Sequence, residues 1–121
     1  MSEMTKIAET PQLGMGPNQH PGIAARFSIL LEMFIREQRA IGGNPTKEAF
    51  SKAIGARGNN IHNWMNGHRP GINSGIQIYR ALKITLDYLY AGELDGVVTH
   101  LSHDIEKITA EMGLEDVSKL P

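Results

Sequence analysis

From Ile23 onward the apolar residues fall into helical spacing. Ile23, Phe27, Leu30, Leu31, Phe34 and Ile35 recur at steps of one, three or four and make one face of a first helix, which Gly42-Gly43 end. Asn44-Pro45-Thr46 then forms a turn that places Thr46 to cap a second helix, with Phe50 and Ile54 as its apolar positions and Gly55 as its stop. A third helix over about residues 58–66 carries Ile61 and Trp64 on one side, and Asn66-Gly67 closes it in a left-handed cap. After Pro70 a fourth segment is expected to bury Ile76, Tyr79 and Leu82, and a short fifth, Leu86-Asp87-Tyr88-Leu89, ends near Gly92. The last helix runs roughly from Gly96 to Gly113, with Val97, Leu101, Ile105, Ile108 and Met112 as its apolar stripe. No stretch alternates with a period of two and no internal repeat is visible, so an all-α fold is expected. Residues 1–21, with Pro11, Gly14, Gly16, Pro17 and Pro21, read as a flexible arm; residues 22–92 read as one domain and 93–121 as an acidic C-terminal helix and tail.

The densest pattern lies at residues 46–67. Counting Lys47 as the first place, Ser51 stands fifth, Gly55 ninth and Ile61 fifteenth. Two short helices crossing at about 90–120° need a small residue where they touch, a glycine in the turn, and an aliphatic anchor on the second helix. Ile61 and Trp64 are expected to pack back onto Phe50 and Ile54. That leaves Arg57, Asn59, Asn60, His62 and Asn63 on the outer side of the third helix. Asparagine and histidine are poor helix formers, so their accumulation asks for another reason. Asn pairs bidentately with adenine, Arg with guanine, and His donates to or accepts from a base edge, so this face is the candidate for reading bases.

Composition bounds the rest. With 121 residues there is room for one domain and an appended element. There is no cysteine, which removes disulfides, thiolate catalysis and zinc–cysteine sites, and no apolar run approaches a membrane helix. The start lacks a secretory pattern, and the cytoplasm is the expected location. A net charge of −1 excludes a protein that coats nucleic acid by bulk charge. Its distribution is polar, however. Residues 46–83 hold six cations (Lys47, Lys52, Arg57, Arg69, Arg80, Lys83) against Glu48 alone, whereas residues 91–121 hold seven acids against Lys107 and Lys119. One side can therefore face a polyanion while the other is kept from it.

The motif, together with Asn66-Gly67-His68-Arg69-Pro70 and the run Ile78-Tyr79-Arg80-Ala81-Leu82-Lys83-Ile84-Thr85-Leu86-Asp87-Tyr88-Leu89-Tyr90-Ala91-Gly92, resembles the Cro/lambda-repressor-type, or xenobiotic-response-element, helix-turn-helix family over about residues 24–92. The resemblance implies a five-helix lambda-repressor-like bundle, here with an additional C-terminal helix. It further implies a third helix in the major groove, and a homodimer on a near-palindromic operator. It also implies phosphate contacts from Lys47, Lys52, His68 and Arg69, and from Asn73 and Ser74 at the start of the fourth helix. Three positions depart from the family pattern: Arg57 where a capping Ser or Thr is frequent, Met65 for a frequent Glu, and Ser51 for the usual Ala.

No serine, histidine and acid arrangement indicates an enzyme, and no cofactor pattern is present, Gly14-Met15-Gly16 lacking the strand and helix of a phosphate loop. His100, His103 and Asp104 read as a solvated polar face, not a metal site. Two functions follow. The first is a sequence-specific regulator of transcription, a repressor by family habit, bound to double-stranded DNA. The second is a protein-interaction module, antiactivator or antitoxin-like, binding another regulatory protein through its acidic C-terminal helix. The stripe Val97, Leu101, Ile105, Ile108 and Met112 either folds back on its own domain or pairs with a second chain. Pairing is the expectation, because one short helix reads too few bases for useful specificity.

Overall fold

The computed structural model describes residues 16–121. Among these the chain forms six α-helices: α1 Pro21–Ile41, α2 Lys47–Ala53, α3 Asn60–Met65, α4 Ile72–Leu82, α5 Leu86–Ala91 and α6 Thr99–Glu111, followed by a 3-10 turn at Val117–Lys119. The regular structure is all-α, with one isolated antiparallel bridge between Gln19 and His68. Within the described residues no helix is long and apolar enough to cross a membrane.

Helix α1 is the centre of the packing. Pro21 opens it in the first helical position, where a missing N–H costs nothing, and Gly42 closes it at φ 74°. Across residues 22–30 only Ala24 and Ser28 escape full burial, so this half is buried nearly all round rather than along one stripe. Leu31, Phe34 and Ile35 in the second half are half-buried. Helices α2, α3, α5, α6 and the 3-10 turn all pack against α1. Thr46 caps α2 as its sequence position predicts, its hydroxyl accepting from the Ala49 N–H at 3.1 Å.

The aromatic contacts show how α2 and α3 are seated. Trp64 of α3 stacks on Phe27 at a centroid distance of 5.5 Å and 29° between planes, and Phe50 of α2 meets Phe34 at 5.4 Å and 58°. The aromatic partners of both helices thus lie on α1, where the sequence pointed to Phe50 and Ile54 as the seat of Trp64. In α4 the inner residues are Gly75 and Ile78, with Ile76 and Leu82 half-buried. Tyr79, expected inside, is 46% exposed. Its position four residues after Gly75 still sets it beside the inner face, so helical spacing alone does not account for that exposure.

The C-terminal stripe corrects the expected interface. Val97, Ile105 and Ile108 lie in the chain's own core and Leu101 is half-buried against it, while Met112 is exposed. Side chains already buried on α1 have no surface left for a second chain, so the stripe folds back and is not free as a dimer interface. Arg36 on α1 links to α6 from outside through Glu111 at 2.7 Å, and is itself held by Glu32 one turn earlier on α1 at 2.8 Å.

A residue the apolar pattern passes over holds the end of the chain. Arg26 is 0% exposed, and its guanidinium donates to the carbonyls of Leu89 at 3.0 Å, Ser118 at 2.7 Å, and Leu120. Gly22 makes room for this strap, since a Cβ there would land on the Leu120 carbonyl. Arg26→Ala strands two buried carbonyls and a part-buried one and is expected to lower stability by about 3–5 kcal/mol. Chemical denaturation of the full chain measures it, and a curve superimposing on the parent's would show that residues 118–120 are held some other way. Trp64→Ala empties the Phe27 stack and should cost about 3–5 kcal/mol. An unchanged melting curve for that variant would remove Trp64 from the core.

Candidate nucleic-acid interface

Helix α3 is six residues long and begins at Asn60, two residues later than the sequence placed it. The preceding turn is closed by the Asn60 N–H donating to the Arg57 carbonyl at 2.9 Å. Arg57 therefore stands, exposed, in the turn rather than on the helix. Asn59 is the N-cap residue, and its side chain makes no capping hydrogen bond.

With Trp64 buried and Ile61 half-buried, the outer surface of α3 is set by helical geometry. Asn59, His62, Asn63 and Asn66 are all exposed and follow the i, i+3, i+4, i+7 rule, so they line one face. Asn60 departs from this set. It is half-buried and four residues before Trp64, which places it toward the inner side. Asn66 joins the row, though its sequence position pointed only to a cap; the spacing from Asn59 was the available signal. Its side-chain amide lies 3.1 Å from Nε2 of His62 and donates to the His62 carbonyl at 2.9 Å. When that amide donates to Nε2, the ring proton resides on Nδ1, which is left to donate elsewhere.

The far end of α3 is clamped by residues 16–20, read from sequence as part of a flexible arm whose residues 1–15 lie outside the described ones. The His20 N–H donates to the Gly67 carbonyl at 2.7 Å, and the Gln19 amide to the Asn66 carbonyl at 3.0 Å. Gly67 has φ 99°, and a Cβ there would sit 2.9 Å from the His20 backbone, so only glycine permits this approach. No local pattern announces a pairing 47 residues apart. It brings His20 near His68 and Arg69, a second cluster of basic groups beside the row.

Of the residues assigned to phosphates, Lys47, Lys52, His68, Arg69 and Asn73 are exposed and Ser74 is half-buried. Lys47 opens α2, and Asn73 and Ser74 lie in the first turn of α4, whose N-cap, Gly71, contributes no side chain. Tyr90 anchors that entry by donating to the carbonyls of Pro70 at 2.8 Å and Gly71 at 3.1 Å. Within the described residues no three His, Asp or Glu side chains gather in a metal-binding group. No family model, curated protein or solved structure matches the chain.

Partial burial, then the charges of Arg69 and His68, hold the His20 imidazole below its ordinary pKa of 6.5. The unfolded chain therefore takes up this proton first as pH falls. The stability contributed by neutral His20 is present above pH 6.5 and is lost as pH drops below it. His20→Gln should flatten that part of the stability–pH curve, measured by denaturation at several pH values. An identical slope in parent and variant would take His20 out of the cluster.

Proposed function

We propose that the chain is a sequence-specific regulator that binds double-stranded DNA, with α1–α5 as a lambda-repressor-like helix-turn-helix bundle and α6 as its additional helix. In this reading α2 and α3 form the motif. The observation that carries it is the exposed row Asn59, His62, Asn63 and Asn66, with Arg57 at its entrance, on a helix whose other side is fixed to α1 through Trp64. A surface meant only for solvent has no need of three asparagines and an oriented histidine on a rigid mount; a surface that reads adenine and guanine edges has that need. Exposed Lys47, Lys52, His68 and Arg69 supply the phosphate contacts. A six-residue recognition helix covers few base pairs, so the operator is near-palindromic and bound by two copies about 34 Å apart. Their interface is one other than the buried stripe of α6.

Gel shift against the DNA flanking the protein's own gene tests this reading. Saturable, salt-sensitive binding to one palindrome supports it; absence of binding at low salt favours the protein-interaction module. At the cognate site Asn63→Ala should cost about 1–3 kcal/mol and leave binding to random DNA nearly unchanged. Asn60→Ala, on the inner side, should change stability more than selectivity. Equal losses on cognate and random DNA for Asn63→Ala would show that it does not read a base.

A further inference from the structure

Three basic side chains gather at the end of α3 with no acid to answer them. His68 and Arg69 stand exposed on the loop after the helix, and half-buried His20 comes from the segment before α1. Backbone bonds bring them together: the His20 N–H donates to the Gly67 carbonyl at 2.7 Å, and Gln19 pairs with His68 in an antiparallel bridge. Gln19 is held on both sides, its Oε1 accepting from the Gly16 N–H at 2.6 Å and its Nε2 donating to the Asn66 carbonyl at 3.0 Å. His20 is thus kept beside residues 67–69 by bonds that its own side chain does not make. Among the described residues the ion pairs are those of Arg36, so none of the three basic groups is paired with a carboxylate.

Uncompensated cations on a fixed backbone favour an anion. The clamp also occupies the carbonyls of Asn66 and Gly67, the outward negative ends of α3 that would otherwise oppose one. A phosphate group suits the set, because its several acceptor oxygens can meet a guanidinium and two imidazoles at once. The charges acting on His20 are Arg69 and His68, both of its own sign; His62, one turn before Asn66 on α3, is the other titratable group at this end. Arg69 also acts on the buried cation of Arg26. Burial and these like charges keep the free His20 imidazole neutral, and an anion placed among them reverses the balance in favour of the imidazolium. We propose that His20, His68 and Arg69 form a phosphate-binding site whose filling is coupled to protonation of His20. The source of the phosphate is the DNA strand beside the row that Asn66 belongs to, which rests on the DNA-binding reading; inorganic phosphate carries the same chemistry. Falling pH then strengthens the grip on the duplex while it weakens the free fold.

Imidazole titrations of the full chain by NMR test the site, run alone, with inorganic phosphate, and with a random-sequence duplex at low salt. The His20 midpoint should move to higher pH when phosphate or duplex is bound. In fluorescence anisotropy the parent should hold the duplex about tenfold more tightly at about pH 5.5 than at about pH 7.5. His20→Gln should cut that gain to about threefold, the remainder coming from His68, while His100→Gln on α6 keeps all of it. Melting curves at both pH values check that the variants are folded. A chain that binds duplex with an unmoved His20 midpoint overturns the site and leaves the DNA-binding reading standing, as does an equal gain in the parent and His20→Gln. A chain that binds no duplex, yet whose His20 midpoint rises with inorganic phosphate, overturns the DNA-binding reading and keeps the site as one for free phosphate. An unmoved midpoint in both mixtures overturns the site outright.

Discussion

The structure depends on what is done with one buried cation. Arg26 sits on the helix against which α2, α3, α5, α6 and the 3-10 turn pack, and the hydrogen-bond partners of its guanidinium, at Nε and Nη1, are all backbone carbonyls. Burial pushes its pKa down to about 10, with nearby Tyr88 opposing that shift, so it remains charged at neutral pH. A charged group taken out of water is tolerable only while its hydrogen bonds hold. Two of the acceptors, Ser118 and Leu120, belong to the C-terminal segment, and the third, Leu89, belongs to α5. Lifting the segment off would strand the cation, so residues 93–121 are built into the domain rather than appended to it. The same environment raises the Tyr88 hydroxyl far above its ordinary range, because burial disfavours the phenolate more than Arg26 supports it.

That attachment has an electrostatic consequence. With the segment packed on α1 and Glu111 tied to Arg36, its acids are held in place and do not move as a free tail over the cations of residues 46–83. Had this segment been a mobile tail, its seven acids would compete with phosphate for those cations. Held in place, they meet the basic stretch at the end of α4, where Lys83 lines one cavity with Asp104.

Much of this was legible in the sequence, for identifiable reasons. Helix boundaries were readable where a residue's chemistry is local: Thr46 accepts from its own helix, and Gly42 and Gly92 end theirs in left-handed conformations. The apolar stripe of α6 was readable as well. A stripe specifies that a face is buried but not what buries it, and here Val97, Ile105 and Ile108 found α1 instead of a second chain. Tyr79 stands three residues from both Ile76 and Leu82, so spacing reads it as inner, and nothing in that spacing tells that it ends 46% exposed. Arg26 was invisible for a simpler reason. In a row of apolar residues an arginine reads as the polar edge of a helix, and nothing near it announces carbonyl partners 63 to 94 residues away. The pairing of Gln19 and His20 with Asn66 and Gly67 is long-range in the same way, so the true start of the domain was also hidden.

Arg26 and Phe27 are consecutive, and this ties the two ends of the fold together. A helix turns by about 100° per residue, so neighbours in sequence face different sides of α1. One side grips the C-terminal strap through Arg26, and the next carries the ring on which Trp64 stacks. Helix α3 has few interactions of its own; at six residues it is too short to be stable by propensity. Its orientation is borrowed from Phe27 beneath Trp64 and from the Gln19–His20 clamp at its end, both of which are continuous with α1. Any displacement of α1 that loosens the Arg26 bonds therefore also moves the seat of α3. On the proposed reading, base selection depends on that seat, because Asn63 and His62 discriminate only if held within a fraction of an ångström of their productive geometry. The buried cation thus does for α3 what its own length cannot: it helps to fix the position of the helix on which α3 stands.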